Sequence, residues 1–112
     1  MAIKRVSTVV GAVNLAGSVA FWKTVLGTDP TFVDGERWAQ FDIGPVRLSL
    51  GAGSENPGGA AVMVSVDDLD GFCADLRSAG IDPGPETTGP HERRVTFRGP
   101  AGETVIAYAA LA

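Results

Sequence analysis

The sequence predicts an α+β protein in which one βαβββ module occurs twice, and three observations predict it. Short runs of alternating polar and apolar residues are bounded by glycine or proline. Two amphipathic helical runs lie about 53 to 54 residues apart. A stretch of linker composition, Gly51 to Gly59, divides the chain almost at its middle. A sheet apolar on one side buries that side under a helix, so the helices are expected on the outer face of mixed sheets whose other faces form a concave cup. Residues 1–50 make the first module, 51–59 the linker loop and 60–112 the second module, within one domain spanning 1–112.

Each element has its own warrant. Ile3 to Val13 is rich in β-branched residues and reads as a strand. Asn14-Leu15-Ala16-Gly17-Ser18 supplies loop and capping chemistry, with Ser18 the expected N-cap. Val19, Trp22, Val25 and Leu26 then recur at three- and four-residue steps, which puts Trp22 in the core, and Gly27 is the expected stop. After Asp29-Pro30 come three short strands: Thr31 to Val33, Glu36 to Ile43 beyond an Asp34-Gly35 turn, and Val46 to Leu50 beyond Gly44-Pro45. The second half repeats the order. Ala60 to Val66 is a strand, Asp67-Asp68-Leu69-Asp70 caps a helix through Phe72, Leu76 and Ala79, and Gly80 ends it. A weaker strand lies around Pro85 to Thr88, and His91 to Arg98 and Glu103 to Ala109 are joined by the tight turn Gly99-Pro100-Ala101-Gly102.

Composition narrows the function classes. A hydrophobic fraction of 45% with 20% charged residues supplies enough apolar area to offset the entropy of ordering without disulfide or metal staples. Nine Lys and Arg against thirteen Asp and Glu leave a charge of −4, which opposes the phosphate neutralisation that nucleic-acid binding needs. The start of the chain lacks a signal-peptide pattern and no run approaches the roughly 18 apolar residues of a membrane span. A cytoplasmic protein is expected, its lone Cys73 a reduced, packed thiol.

Period-two alternation sorts each strand into a helix-side register, the more apolar one, and a register that lines the cup. The cup register holds Ser7, Trp38, Gln40, Asp42, Arg47, Ser49, Met63, Ser65, Arg94 and Thr96, the candidate ligand-binding residues. In the last strand Thr104, Ile106 and Tyr108 against Val105, Ala107 and Ala109 leave the register open. Trp38 is suited to stack on a planar ligand and Met63 to adapt to an irregular outline, with the polar residues orienting it. A Trp on a strand also serves at a dimer interface or rim, and both roles stay open. No phosphate loop is present, since Gly51-Ala52-Gly53 lacks the following Lys. His91 reads as a turn or rim residue.

Three phrases in order resemble the vicinal oxygen chelate superfamily, which groups glyoxalases, extradiol dioxygenases and bleomycin-resistance proteins. Ser18-Val19-Ala20-Phe21-Trp22-Lys23-Thr24-Val25-Leu26-Gly27 is similar to its S-x-x-F-Y-x-x-V-L-G. Val66-Asp67-Asp68-Leu69-Asp70 precedes Leu76-Arg77-Ser78-Ala79-Gly80, and Gly99-Pro100-Ala101-Gly102-Glu103 stands where the family has D-P-D-G-N. The resemblance covers nearly the whole chain. It implies metal ligands at Ser7, Ser49, Ala61 and Ala107, none of which suits a divalent ion, and a one-residue slip offers only Arg47 or Thr104. No metal or other cofactor is therefore expected. The resemblance then implies a metal-independent small-molecule binding protein of the bleomycin-resistance type, a homodimer that sequesters a drug or natural product, and Trp38 in the cup register points to a planar, apolar one. Two alternatives accompany it: a metal-free lyase or isomerase with Asp42 as base and Arg47 or Arg94 stabilising an oxyanion, and an interaction module whose open sheet face pairs with another subunit.

Overall fold

Of the residues that alternation assigns to the helix side of the first half, Val10, Ala39, Phe41 and Leu50 pack with the helix in the computed structural model, which describes residues 2–111, while Val6, Ile43 and Val46 stay exposed. β1 (Ile3–Ala12) runs parallel to β4 (Val46–Ala52), β4 antiparallel to β3 (Trp38–Ile43), and β3 antiparallel to β2 (Phe32–Asp34), in the order β2-β3-β4-β1. Leu15, Val19, Trp22 and Leu26 of α1 (Leu15–Leu26) gather with Val10, Ala12, Ala39, Phe41, Leu50 and Ala52. Burying side chains the size of Phe41 and Leu50 contributes on the order of 1.5–3 kcal/mol each. Residues 7–61 form this unit.

The first helix starts a turn earlier than Ser18. Asn14 is its N-cap, with Oδ1 accepting from the Gly17 N–H at 2.8 Å, while the Ser18 N–H already donates to the Asn14 carbonyl at 3.1 Å. Asn and Ser cap equally well, and the earlier cap also brings Leu15 into the core. Gly27 ends the helix at φ 68°, its N–H donating to the Lys23 carbonyl.

The second unit repeats the module with β5 (Ala60–Val66), α2 (Leu69–Ser78), β6 (Glu86–Thr88), β7 (Glu92–Arg98) and β8 (Thr104–Ala110) in the order β5-β8-β7-β6. β7 is antiparallel to both β6 and β8. Val66, Leu69, Cys73, Val95 and Ala107 form its core, with Val64, Phe72, Phe97 and Ala109 against them. Burial pushes the Cys73 thiol pKa up. The start of β1, up to Val6, groups with this unit: the Ala2 N–H donates to Asp67 Oδ1 at 2.7 Å, and the Asp67 N–H donates back to the Ala2 carbonyl at 3.1 Å. Asp68 caps α2, accepting from the Gly71 N–H at 3.0 Å. Among the described residues no helix is long and apolar enough to cross a membrane.

An ion triad ties α2 to the sheet. Arg93 Nη2 donates to Asp70 Oδ1 and Glu86 Oε1, both at 2.7 Å, and Arg93 Nε donates to Glu86 Oε2 at 2.8 Å. These hydrogen bonds hold the carboxyls of Asp70 and Glu86 below their ordinary values of 3.8 and 4.5. Groups depressed in the folded state stabilise it fully above their ordinary values and cease to do so as pH falls through the depressed ones. The melting-temperature gap between the native chain and Arg93→Met should therefore be widest near neutrality and close as pH drops below about 4. A gap constant with pH in thermal melts would show that the triad adds nothing.

Candidate functional site

On the side of the first unit away from α1, strand pairing sets the side chains in rows. Trp38 of β3 opposes Gly51 of β4, which opposes Gly11 of β1; Gln40 opposes Ser49, which opposes Val9; Asp42 opposes Arg47. Six of the sequence-predicted residues (Ser7, Trp38, Gln40, Asp42, Arg47 and Ser49) lie in this unit on that face.

Trp38 is fixed at two points. Its indole Nε1–H donates to Gln40 Oε1 at 3.0 Å. Its ring lies over Gly51, where a Cβ would come within 3.3 Å of Trp38 Cζ3. The half-buried ring is thus a preset plane rather than a swinging side chain. Asp42 is similarly engaged: Oδ1 accepts from Arg47 Nε at 2.7 Å, and Oδ2 accepts from Thr31 Oγ1 at 2.6 Å and Arg47 Nη2 at 3.4 Å. This is the cross-strand ion pair that opposed charges on neighbouring strands form.

The stretch read as a linker closes one end of this face. β4 continues through Ala52, and a turn of 3-10 helix follows at Gly53–Glu55. The turn folds back so that the Glu55 carbonyl stands over Gly51 and the Asn56 side chain over Gly11, leaving no room for a Cβ at either glycine. Asn56 Nδ2 donates to the Ala12 carbonyl at 3.3 Å, its Oδ1 accepts from the Gly58 N–H at 2.8 Å, and the Gly11 N–H donates to the Gly59 carbonyl at 2.7 Å. An isolated glycine inside a strand signals such a backbone approach, so Gly11 and Gly51 were readable in the sequence.

Ser7 and Ser49 are 9% and 1% exposed. Neither hydroxyl makes a side-chain hydrogen bond among the described residues, yet no side-chain polar atom there is sealed from solvent without a partner. The sliver of Ser49 that reaches the surface is therefore its hydroxyl.

In the second unit the core settles the open register of β8. Val105, Ala107 and Ala109 take the α2 side, since Ala107 and Ala109 pack in the core with Leu69 and Phe72. Thr104, Ile106 and Tyr108 share the other face with the predicted residues of β7, Arg94 opposing Tyr108 and Thr96 opposing Ile106. Met63 and Ser65 stand on the corresponding face of β5, Met63 buried and Ser65 half-buried. Ala107, the position that the resemblance implies for a metal ligand, thus lies on the α2 side, and Ile106 beside it faces the other way. A separate depression of about 290 Å³ lies on the helix side of the first unit, lined by Leu15, Ala16, Val19, Val33, Gly35 and Glu36. It holds none of the predicted residues.

The profile of the Glyoxalase/Bleomycin resistance protein/Dioxygenase superfamily matches residues 4–106. The chain belongs to this superfamily. A solved structure described as an NAD-dependent benzaldehyde dehydrogenase from Legionella pneumophila shares its fold with a TM-score of 0.85 at 19% identity, over 95% of this chain and 99% of that one. A glyoxalase/bleomycin resistance protein/dioxygenase superfamily member from Vibrio splendidus 12B01 follows at TM-score 0.73 and 15% identity, over 96% and 99% of the two chains. An uncharacterized protein from Methanosarcina mazei gives 0.55 at 17% identity, over 99% and 95%. At these identities the likeness is one of fold. No curated protein matches the sequence significantly.

The superfamily's metal can be tested against the donors present. At the positions that the resemblance implies, Ser7 and Ser49 offer neutral hydroxyls and Ala61 and Ala107 no donor, nor does Ile106 beside the last offer one, and among the described residues no three His, Cys, Asp or Glu side chains gather as a metal would require. The donor set does not fit a divalent ion.

Proposed function

We propose that the chain binds a planar, largely apolar small molecule without a metal and sequesters it unchanged, in the manner of the bleomycin-resistance members of its superfamily. The observation that carries this reading is Trp38, a ring close over Gly51 and pinned by Gln40, on a sheet face where Ser7 and Ser49 stand at positions that the resemblance implies for metal ligands. An aromatic plane fixed before binding loses little entropy when a ligand stacks on it. The enzymatic alternative has less support. A general base needs a carboxylate oxygen open to the substrate proton, and both oxygens of Asp42 already accept hydrogen bonds from Arg47 and Thr31.

Two measurements test the proposal. Protein purified without chelator should carry no stoichiometric Zn, Ni, Fe or Mn by elemental analysis; about one metal per chain, tied to activity, would overturn it. A thermal-shift screen of antibiotics and polyketide-like compounds should yield a binder, because a ligand at a hundred times its dissociation constant adds about 2.7 kcal/mol to the folded state. Chromatography of the recovered compound then decides between sequestration, which returns it intact, and catalysis, which alters it.

A further inference from the structure

Resting on that binding reading, we infer that the face beside Trp38 is a hydrogen-bond donor site, and that the ligand it takes is a planar aromatic compound carrying a carbonyl-type acceptor oxygen. The indole N–H is a donor only, so the atom of Gln40 that faces it at 3.0 Å is the amide oxygen. The carboxamide NH2 therefore points away from Trp38, and it has no acceptor among the described residues. Directly across the strand pair stands Ser49, 99% buried by its 1% exposure, its hydroxyl the part that reaches the surface and likewise without a protein partner.

Directly opposed residues on paired strands have Cβ atoms about 4.5–5.5 Å apart. The two side chains rise side by side from paired strands on one face, and the proposal places the Gln40 NH2 and the Ser49 hydroxyl within reach of one acceptor oxygen. Trp38 and Gln40 occupy alternate positions of β3 on the same face, so an oxygen received there belongs to a molecule whose ring covers the Trp38 plane. The acceptor side of the row is spent: Gln40 Oε1 on the indole, and the Asp42 carboxylate on Arg47 and Thr31. A ligand presenting a donor at this point finds less to receive it than one presenting an acceptor.

The test uses a matched pair of probes, 9-fluorenone and fluorene, which share a flat tricycle and differ in one carbonyl oxygen. Calorimetric titration of the full chain should show fluorenone binding about three- to tenfold more tightly than fluorene. Ser49→Ala should remove most of that preference without lowering the melting temperature, because the hydroxyl supports nothing in the protein. Gln40→Glu should abolish it, since a carboxylate still accepts from the indole but presents no donor to the ligand. Equal binding of the two probes, both lost in Trp38→Ala, overturns the donor site and leaves the stacking reading standing. A preference that survives in both variants also overturns it, as does a fall in melting temperature for Ser49→Ala, which would make the hydroxyl structural. No binding of either probe overturns the donor site, while the binding reading is decided by the thermal-shift screen of antibiotics and polyketide-like compounds.

Discussion

Trp38→Ala is expected to weaken binding of the small-molecule ligand by about 1 to 3 kcal/mol, roughly five- to 150-fold, with only a modest change in melting temperature. Apolar contact area and stacking geometry are lost together. The loss also reaches Gln40, whose carboxamide is oriented by the indole N–H at 3.0 Å; without it the NH2 and the oxygen can exchange places, and the donor opposite Ser49 becomes an average of two orientations. Trp38→Phe separates the two contributions. It keeps an aromatic plane over Gly51 but releases Gln40, so its binding should fall between those of the native chain and Trp38→Ala. Titration of the same compound against all three proteins checks this. Equal affinities would mean that the ligand sits elsewhere, even if the chain binds one.

How much of this was legible in sequence varied with the physics behind each residue. The faces of β3 and β4 were readable because their registers differ sharply in polarity: Ala39 and Phe41 pack under α1, and Trp38, Gln40 and Asp42 do not. β8 was not readable, since both of its registers are largely apolar and alternation then carries no information. What decided it was packing, Ala107 and Ala109 fitting against the α2 core. The family was readable from three phrases, whereas its metal position on β8 depended on register, where one residue turns a side chain to the other face. Composition said nothing of the order within residues 53–59, because Gly, Ser, Asn and Pro describe a flexible linker and a tightly folded loop alike. The loop's order comes from Asn56 reaching Ala12, 44 positions away, a contact with no local signature. The unpaired donors at Gln40 and Ser49 lie further still from sequence, because they follow from which hydrogen bonds have already been made.

Gly51→Ala is expected to destabilise the chain by roughly 1 to 3 kcal/mol, a fall of roughly 4 °C in melting temperature per kcal/mol, whatever the ligand proves to be. A β-strand normally gains from replacing glycine by alanine, since glycine loses more chain entropy on folding. Here the added Cβ would run into the Glu55 backbone carbonyl and press within 3.3 Å of Trp38 Cζ3. A backbone carbonyl cannot swing aside as a side chain can, so the 3-10 turn must lift and carry Asn56 with it, loosening its bonds to Ala12 and Gly58. Gly11→Ala should cost less, because its Cβ meets the Asn56 side chain rather than backbone. Gly17→Ala is the control: its Cβ would lie 3.4 Å from Asn14 Oδ1, an ordinary contact inside a helix, so stability should hold or rise by up to about 1 kcal/mol. The order of melting temperatures should therefore run Gly17→Ala, Gly11→Ala, Gly51→Ala from highest to lowest. If Gly51→Ala melts with the native chain, the loop does not seat on β4, and the close approach of Trp38 to Gly51 goes with it.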